Sequence, residues 1–273
     1  MNSNKCRSIL VIDSGMGGLS ICQSILAKQD NLQVIYFADD AYFPYGLMDA
    51  TLLSERLRII VSGMLKLHLP DLVVLACNTV STLVLPDLRA TFQIPFVGVV
   101  PAIKPAAIRS KTNKIGLLAT PATIKRSYTD QLIKDHANGC EVVRLGSNEL
   151  VLEAEKLISG GRVSSEVIEK VVSVFKTSGS EERIDTIVLG CTHFPFLKSA
   201  LSKALPGVFW VDSGEAIAKR VKGMLPTFKG QEGVLVNAQH QIYFSKSRPD
   251  ENVFSKILSE IGIDDYQIKG FKP

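Results

Sequence analysis

Leu72–Thr82 reads LVVLACNTVST, and Thr186–Leu197 reads TIVLGCTHFPFL. In both, aliphatic and β-branched residues run into a small residue, then a cysteine, then amide or hydroxyl side chains. Ala76-Cys77-Asn78-Thr79 in the first copy stands over Gly190-Cys191-Thr192-His193 in the second. A short apolar run closed by small polar residues is the pattern of a strand buried on both faces of a parallel sheet. The residue where such a strand ends lies at the carboxyl edge of the sheet, where α/β proteins bind their ligands. One cysteine in that position reads as packing. Two in matched contexts point to a pair of thiols working on opposite faces of one small molecule.

The repeat extends outward from the cysteines. Ser8–Gly15 (SILVIDSG) parallels Lys114–Pro121 (KIGLLATP), each a short strand followed by a turn and a helix. Asp13 falls opposite Thr120, and that offset is close to the one between the cysteines. A duplicated domain with a small insertion gives this pattern, and the period is too long for a solenoid. The expected fold class is therefore α/β. It has two similar domains, each a mostly parallel sheet flanked by helices, related by a pseudo-twofold duplication with the site in the cleft between them. Val99-Val100-Pro101-Ala102 reads as the crossover into the second half. Asp212-Ser213-Gly214, which echoes Asp13-Ser14-Gly15, reads as the return. The expected domains are residues 1–100 with 208–273, and 101–207. One helix is expected over about Pro121–Asp135, a late strand at Gln241–Ser245 and a last helix at Val253–Ile261.

Composition narrows the function classes. The chain has 273 residues, 46% hydrophobic and 21% charged, with a net charge of +4. That is ordinary globular material, able to bury a core without disulfides. Its lysines and arginines are scattered, with no basic stripe interleaved with aromatics, so no nucleic-acid partner is expected. No apolar run is long enough to span a bilayer, and the opening MNSNKCRSILVIDSG lacks the pattern of a signal peptide. Five cysteines without framework spacing suggest reduced thiols and a cytoplasmic location. Cys6, Cys22 and Cys140 read as packing or chance.

Four chemistries compete for the remaining two cysteines. Metal ligation by Cys77, Cys191 and His193 fits poorly, because Cys191-x-His193 is too short for the usual zinc spacing and no C-x-x-C occurs. A cysteine hydrolase with His193 as base leaves the second thiol without a role. A two-domain binding protein explains the duplication but not the thiols. Proton transfer at a carbon stereocentre explains both, since inversion needs a base on one face and an acid on the other. Asp13 would tune Cys77, and His193 would tune Cys191. No lysine sits in a pyridoxal-phosphate context, so no cofactor is expected. The turn Asp13-Ser14-Gly15-Met16-Gly17-Gly18 lacks both the Walker lysine and the G-x-G-x-x-G spacing. Its acid would repel a phosphate and suits a ligand that carries an amino group. Asp13 also suits capping of the next helix, and Asn78 and Thr79 suit capping of a helix from about Val80. The aromatic turn Tyr42-Phe43-Pro44-Tyr45-Gly46 reads equally as a lid or as a surface loop.

At these residues the chain resembles the glutamate racemase family of the cofactor-independent aspartate/glutamate racemase superfamily. The stretches that carry the resemblance are Asp13-Ser14-Gly15-Met16-Gly17-Gly18-Leu19, Pro44-Tyr45-Gly46, Ala76-Cys77-Asn78-Thr79, Gly190-Cys191-Thr192-His193-Phe194-Pro195 and Asp212-Ser213-Gly214. The resemblance implies reversible interconversion of L- and D-glutamate without a cofactor, supplying D-glutamate for peptidoglycan and so for the cell wall. It implies Cys77 and Cys191 as the two acid/base residues, with Asp13 and His193 assisting. Ser14, Tyr45, Gly46, Asn78 and Thr79 are the implied substrate contacts, with Asp13, Thr192 and His193 among them. A glutamate on the helix after a strand of the second domain is implied to assist the second thiol; Glu155 matches better and Glu153 is the alternative. Aspartate racemases, hydantoin racemases and maleate isomerases also pair cysteines, but T-H-F-P and P-Y-G favour glutamate. Family members are often homodimers, although no stretch here marks an interface. Some respond to the precursor UDP-N-acetylmuramoyl-alanine, and Ser147-Asn148-Glu149-Leu150-Val151 resembles that branch.

Overall fold

The computed structural model describes residues 7–176, 183–225, 239–246 and 250–272. Cys6 lies outside the described residues. The chain divides into two compact units, Met1–Val99 with Gly214–Pro273, and Val100–Ser213.

The first unit begins with β1 (Arg7–Asp13), α1 (Leu19–Leu26), β2 (Leu32–Ala38), α2 (Ala50–Leu67), β3 (Leu72–Leu75), α3 (Asn78–Thr91) and β4 (Phe96–Gly98). The second holds α4 (Ile103–Arg109), β5 (Lys114–Ala119), α5 (Pro121–Ile124), α6 (Ser127–His136), β6 (Glu141–Gly146), α7 (Glu149–Ile158), α8 (Ser165–Ser173), β7 (Thr186–Gly190), α9 (Lys198–Ala204) and β8 (Phe209–Val211). The chain then returns to the first unit with α10 (Gly214–Met224), β9 (His240–Phe244), α11 (Glu251–Glu260) and β10 (Tyr266–Gly270).

Every described pairing is parallel. The strand orders are β10-β9-β2-β1-β3-β4 in the first sheet and β6-β5-β7-β8 in the second. The order β2-β1-β3-β4 thus recurs as β6-β5-β7-β8, which is the duplication seen in the sequence. In each unit the first strand is flanked by its successor on one side and by the cysteine strand on the other. The connections leaving it therefore diverge, opening a crevice at its carboxyl end. Parallel strands covered by helices on both faces need apolar side chains throughout, and Ile9–Ile12, Leu72–Leu75 and Ile187–Leu189 are all buried. On α2 the buried positions Leu53, Leu57, Ile60, Val61 and Met64 recur at helical spacing and seat it on the first sheet.

Several local expectations are corrected. β8 pairs with β7, so the stretch after residue 207, expected with the first domain, belongs to the second unit through Ser213. The helix expected over Pro121–Asp135 is broken at Lys125-Arg126 into α5 and α6. β10 was not foreseen: it is a half-exposed edge strand without a clear apolar signature. Among the described residues no helix is long and apolar enough to cross a membrane.

Asp185, just before β7, gathers the loop that leads into β5. It accepts from Ser110 Oγ (2.7 Å), Lys111 N (2.7 Å) and Thr112 N (3.2 Å). Burial pushes its carboxyl up, but the bonds from Lys111, Ser110, Thr186 and Thr112 outweigh it and leave the pKa lowered. A carboxylate lowered by folding stabilises above its unfolded pKa and loses that contribution as pH falls through its folded value. Asp185→Asn is expected to cost about 1–2 kcal/mol at pH 7. The gap from wild type should close below about pH 4 in chemical denaturation series. A gap independent of pH would refute this.

Candidate active site

In the first unit the site is assembled where β1 and β3 end. The Ala76 N–H donates to Ile12 O (2.8 Å), which holds the Ala76-Cys77 turn beside Asp13. Asp13 is fully buried, and its Oδ1 accepts from the Ser14 N–H at 2.7 Å. Helix α1 starts at Leu19 with Gly18 as its cap, so Asp13 does not serve as the cap the sequence allowed. Gly18 is required by close approach, because a Cβ there would lie 2.9 Å from Tyr36 Oη and 3.0 Å from Ala76 Cβ and Asp13 Cβ. Cys22 lies behind this turn, fully buried. Burial pushes its thiol far up and Asp13 adds to this, so it is an inert packing group.

Cys77 itself caps α3, in extended conformation, and its carbonyl accepts from Ser81 N at 2.9 Å. The helix begins at Asn78, two residues before the expected start, so Asn78 and Thr79 lie in its first turn rather than ahead of it. Cys77 thus stands at the end of α3 that favours negative charge. Ser81 Oγ donates to Leu75 O (3.0 Å) and accepts from Val99 N (2.9 Å), tying α3 to the ends of β3 and β4. Asn78 is buried, and its Oδ1 has no hydrogen-bond partner among the described residues. A buried orphan carbonyl is costly unless a ligand donor meets it, and an ammonium group is such a donor. Tyr45 is buried in a 3₁₀ turn, Tyr45–Leu47, with Gly46 half-buried beside it. The Tyr45 hydroxyl donates to Asp39 Oδ2 at 2.8 Å.

In the second unit the corresponding position is the end of β7. Cys191, Thr192 and His193 are all buried there, before a 3₁₀ turn at Phe194–Leu197. Cys191 Sγ lies 3.7 Å from His193 Nδ1, and His193 Nε2 lies 2.6 Å from Glu155 Oε1. Glu155 comes from α7, whose apolar face of Leu150, Val151, Ala154 and Ile158 is buried. Glu153 instead accepts from Ser164 N (2.6 Å) at the start of α8. Of the two glutamates weighed in the sequence, Glu155 is the one that meets His193. Thr120, the counterpart of Asp13, caps α5 by accepting from Thr123 N.

A model of the Asp/Glu/hydantoin racemase family matches residues 9–221. The chain belongs to this family. Glutamate racemase of Aliivibrio fischeri (strain ATCC 700601 / ES114) is 44% identical, over 97% of this chain and 98% of that protein. Glutamate racemase of Shewanella sp. (strain MR-4) is 45% identical over 92% of each. The crystal structure of Escherichia coli glutamate racemase in complex with L-glutamate and the activator UDP-MurNAc-Ala superposes with a TM-score of 0.87. It is 37% identical and covers 97% of this chain and 99% of that one.

In this member of the racemase family, the Glu155–His193–Cys191 series has the layout of a base oriented by a third group. Glu155 accepts from Nε2–H and leaves Nδ1 to face the sulfur. From there the imidazole can take a proton from a thiol or, when charged, donate to a thiolate. Among the described residues no group of three or more His, Cys, Asp or Glu could hold a metal ion. Sequence reading missed the Asp39–Arg56 pair behind Tyr45. Its trace in the sequence is the acid pair Asp39-Asp40 just after β2, and nothing there points to an arginine on the next helix.

Proposed function

We propose that this chain is a glutamate racemase that interconverts L- and D-glutamate with two cysteine bases and no cofactor. The observation that carries the reading is the matched placement of Cys77 and Cys191. Each lies just past the end of the third strand, in chain order, of a repeated four-stranded arrangement, at the point where the strand order reverses. One sulfur, as thiolate, removes the α-proton of glutamate and leaves a carbanion whose charge spreads into the carboxylate. The other, as thiol, gives its proton to the opposite face. The sulfurs end with exchanged protonation states, and proton exchange with solvent resets them. Asp13 assists Cys77, while His193 with Glu155 assists Cys191. Asn78 offers its carbonyl to the substrate ammonium, and Ser14, Tyr45, Gly46, Thr79 and Thr192 complete the contacts.

D-Glutamate made this way enters peptidoglycan synthesis in the cytoplasm. The likeness of Ser147–Val151 to the precursor-responsive branch extends the proposal to activation by UDP-N-acetylmuramoyl-alanine. That segment caps the helix bearing Glu155, with Ser147 Oγ accepting from Leu150 N at 3.1 Å. The test is circular dichroism on the purified chain with L-glutamate in D2O and no added cofactor. Loss of optical activity with deuterium entering at Cα is expected. A stable signal with glutamate alongside loss with aspartate or a hydantoin would move the substrate within the family. Turnover unchanged by the added precursor would remove the activation part.

A further inference from the structure

Asp39 follows β2, and its carboxylate is fully buried. Arg56, in the second turn of α2, meets it as a two-pronged fork, Nε to Oδ2 at 3.0 Å and Nη2 to Oδ1 at 2.6 Å. The same Oδ2 accepts from the Tyr45 hydroxyl, and the Asp39 N–H donates to Asp13 O at 2.8 Å. The Arg56 guanidinium also lies 4.3 Å from the centre of the Tyr42 ring. One ion pair therefore grips the whole stretch from the end of β2 to the Tyr45 turn.

A carboxylate stripped of water persists only when it is paired and hydrogen-bonded, and Asp39 is both. A staple for the fold would need only the arginine. Here the carboxylate also commits the Tyr45 proton, so the phenol oxygen presents only acceptor lone pairs to anything else. Tyr45 shares one apolar cluster with Cys77, which packs against it. Burial first, then Asp39, raise the Tyr45 pKa well above its ordinary value, with Cys77 and Asp13 adding to the rise. The phenol thus stays neutral beside the thiol.

We infer that Asp39 and Arg56 are positioning residues, which hold the Tyr45 hydroxyl and its turn in place against the Cys77 end of the first sheet. The inference rests on the racemase reading of Tyr45 as a substrate contact. Neither residue touches substrate; both act through Tyr45.

A double-mutant cycle tests it. Asp39→Asn and Tyr45→Phe are each expected to raise KM for glutamate about ten- to hundredfold, with a smaller change in kcat. The double variant should be no worse than the more severe single one, because the effect of Asp39 passes through the tyrosine. Arg56→Lys, which keeps the charge but loses the fork, should fall between wild type and Asp39→Asn. Additive effects, or an Asp39→Asn protein that melts earlier with KM unchanged, would reduce the pair to a staple and overturn the inference. If Asn at 39 prevents folding, the Arg56→Lys and Tyr45→Phe cycle reads the same coupling. The rate of Cys77 alkylation by iodoacetamide, followed by mass spectrometry, gives a readout that needs no turnover. Asp39→Asn and Tyr45→Phe should shift it alike and non-additively, and equal rates in all four proteins would also overturn the pair. Wild-type protein that fails to racemise glutamate would refute the functional reading instead, leaving the pair to be judged on alkylation.

Discussion

Cys77→Ser and Cys191→Ser are each expected to lower racemisation in both directions by about a hundred- to ten-thousandfold, the usual worth of a positioned acid or base. Each turnover uses both sulfurs, so neither variant spares one direction. Serine matches the shape but is a far weaker acid, and it is not deprotonated at neutral pH. The fold should survive, because Cys77 is half-buried at a helix cap and Cys191 makes no disulfide. Far-ultraviolet circular dichroism checks that point. The two variants should differ in isotope exchange. Each keeps one working thiol, so each should wash deuterium into only one enantiomer of glutamate, and the two should choose opposite enantiomers. Near-normal turnover in either variant would sink the two-base scheme. Exchange into the same enantiomer by both would show that the sulfurs do not face opposite sides of Cα.

Glu155→Gln should lower kcat/KM about ten- to hundredfold, the equivalent of one charge-assisted hydrogen bond. Glutamine keeps the length of the side chain but withdraws the charge that supports an imidazolium at His193, 2.6 Å away. Because enantiomers have equal free energy, kcat/KM must fall equally in both directions. The asymmetry should appear in the substrate deuterium isotope effect, which should rise only for the enantiomer whose proton Cys191 removes. Glu153→Gln is the control: it loosens the start of α8 through Ser164 and should leave turnover near wild type. If Glu153→Gln caused the larger loss, the role given to Glu155 would be wrong.

The sequence was enough to reveal the buried strands, the duplication and the two cysteines at strand ends. These are written in local patterns, such as apolar runs with breaks and a repeated motif. Burial in a parallel sheet demands such runs wherever they occur in the chain. Cys77 and Cys191 could be placed at carboxyl edges because a strand's end is where its apolar run stops.

The choice between Glu153 and Glu155 lay beyond the sequence, although both sit on one predicted helix. Positions two apart on a helix point about 200° apart. Only the packing of α7 settles which of them meets His193 and which meets α8. The same limit hid Arg56. The buried carboxylate that needs its charge lies on a different element, and composition does not record which groups share a dry site. β8 and β10 follow the same logic. Three residues after a crossover, or five half-exposed ones on a sheet edge, carry too little pattern to name their neighbours. Local order follows from the spacing of apolar residues, whereas partner choice follows from which surfaces exclude water together. That second fact belongs to the folded chain alone.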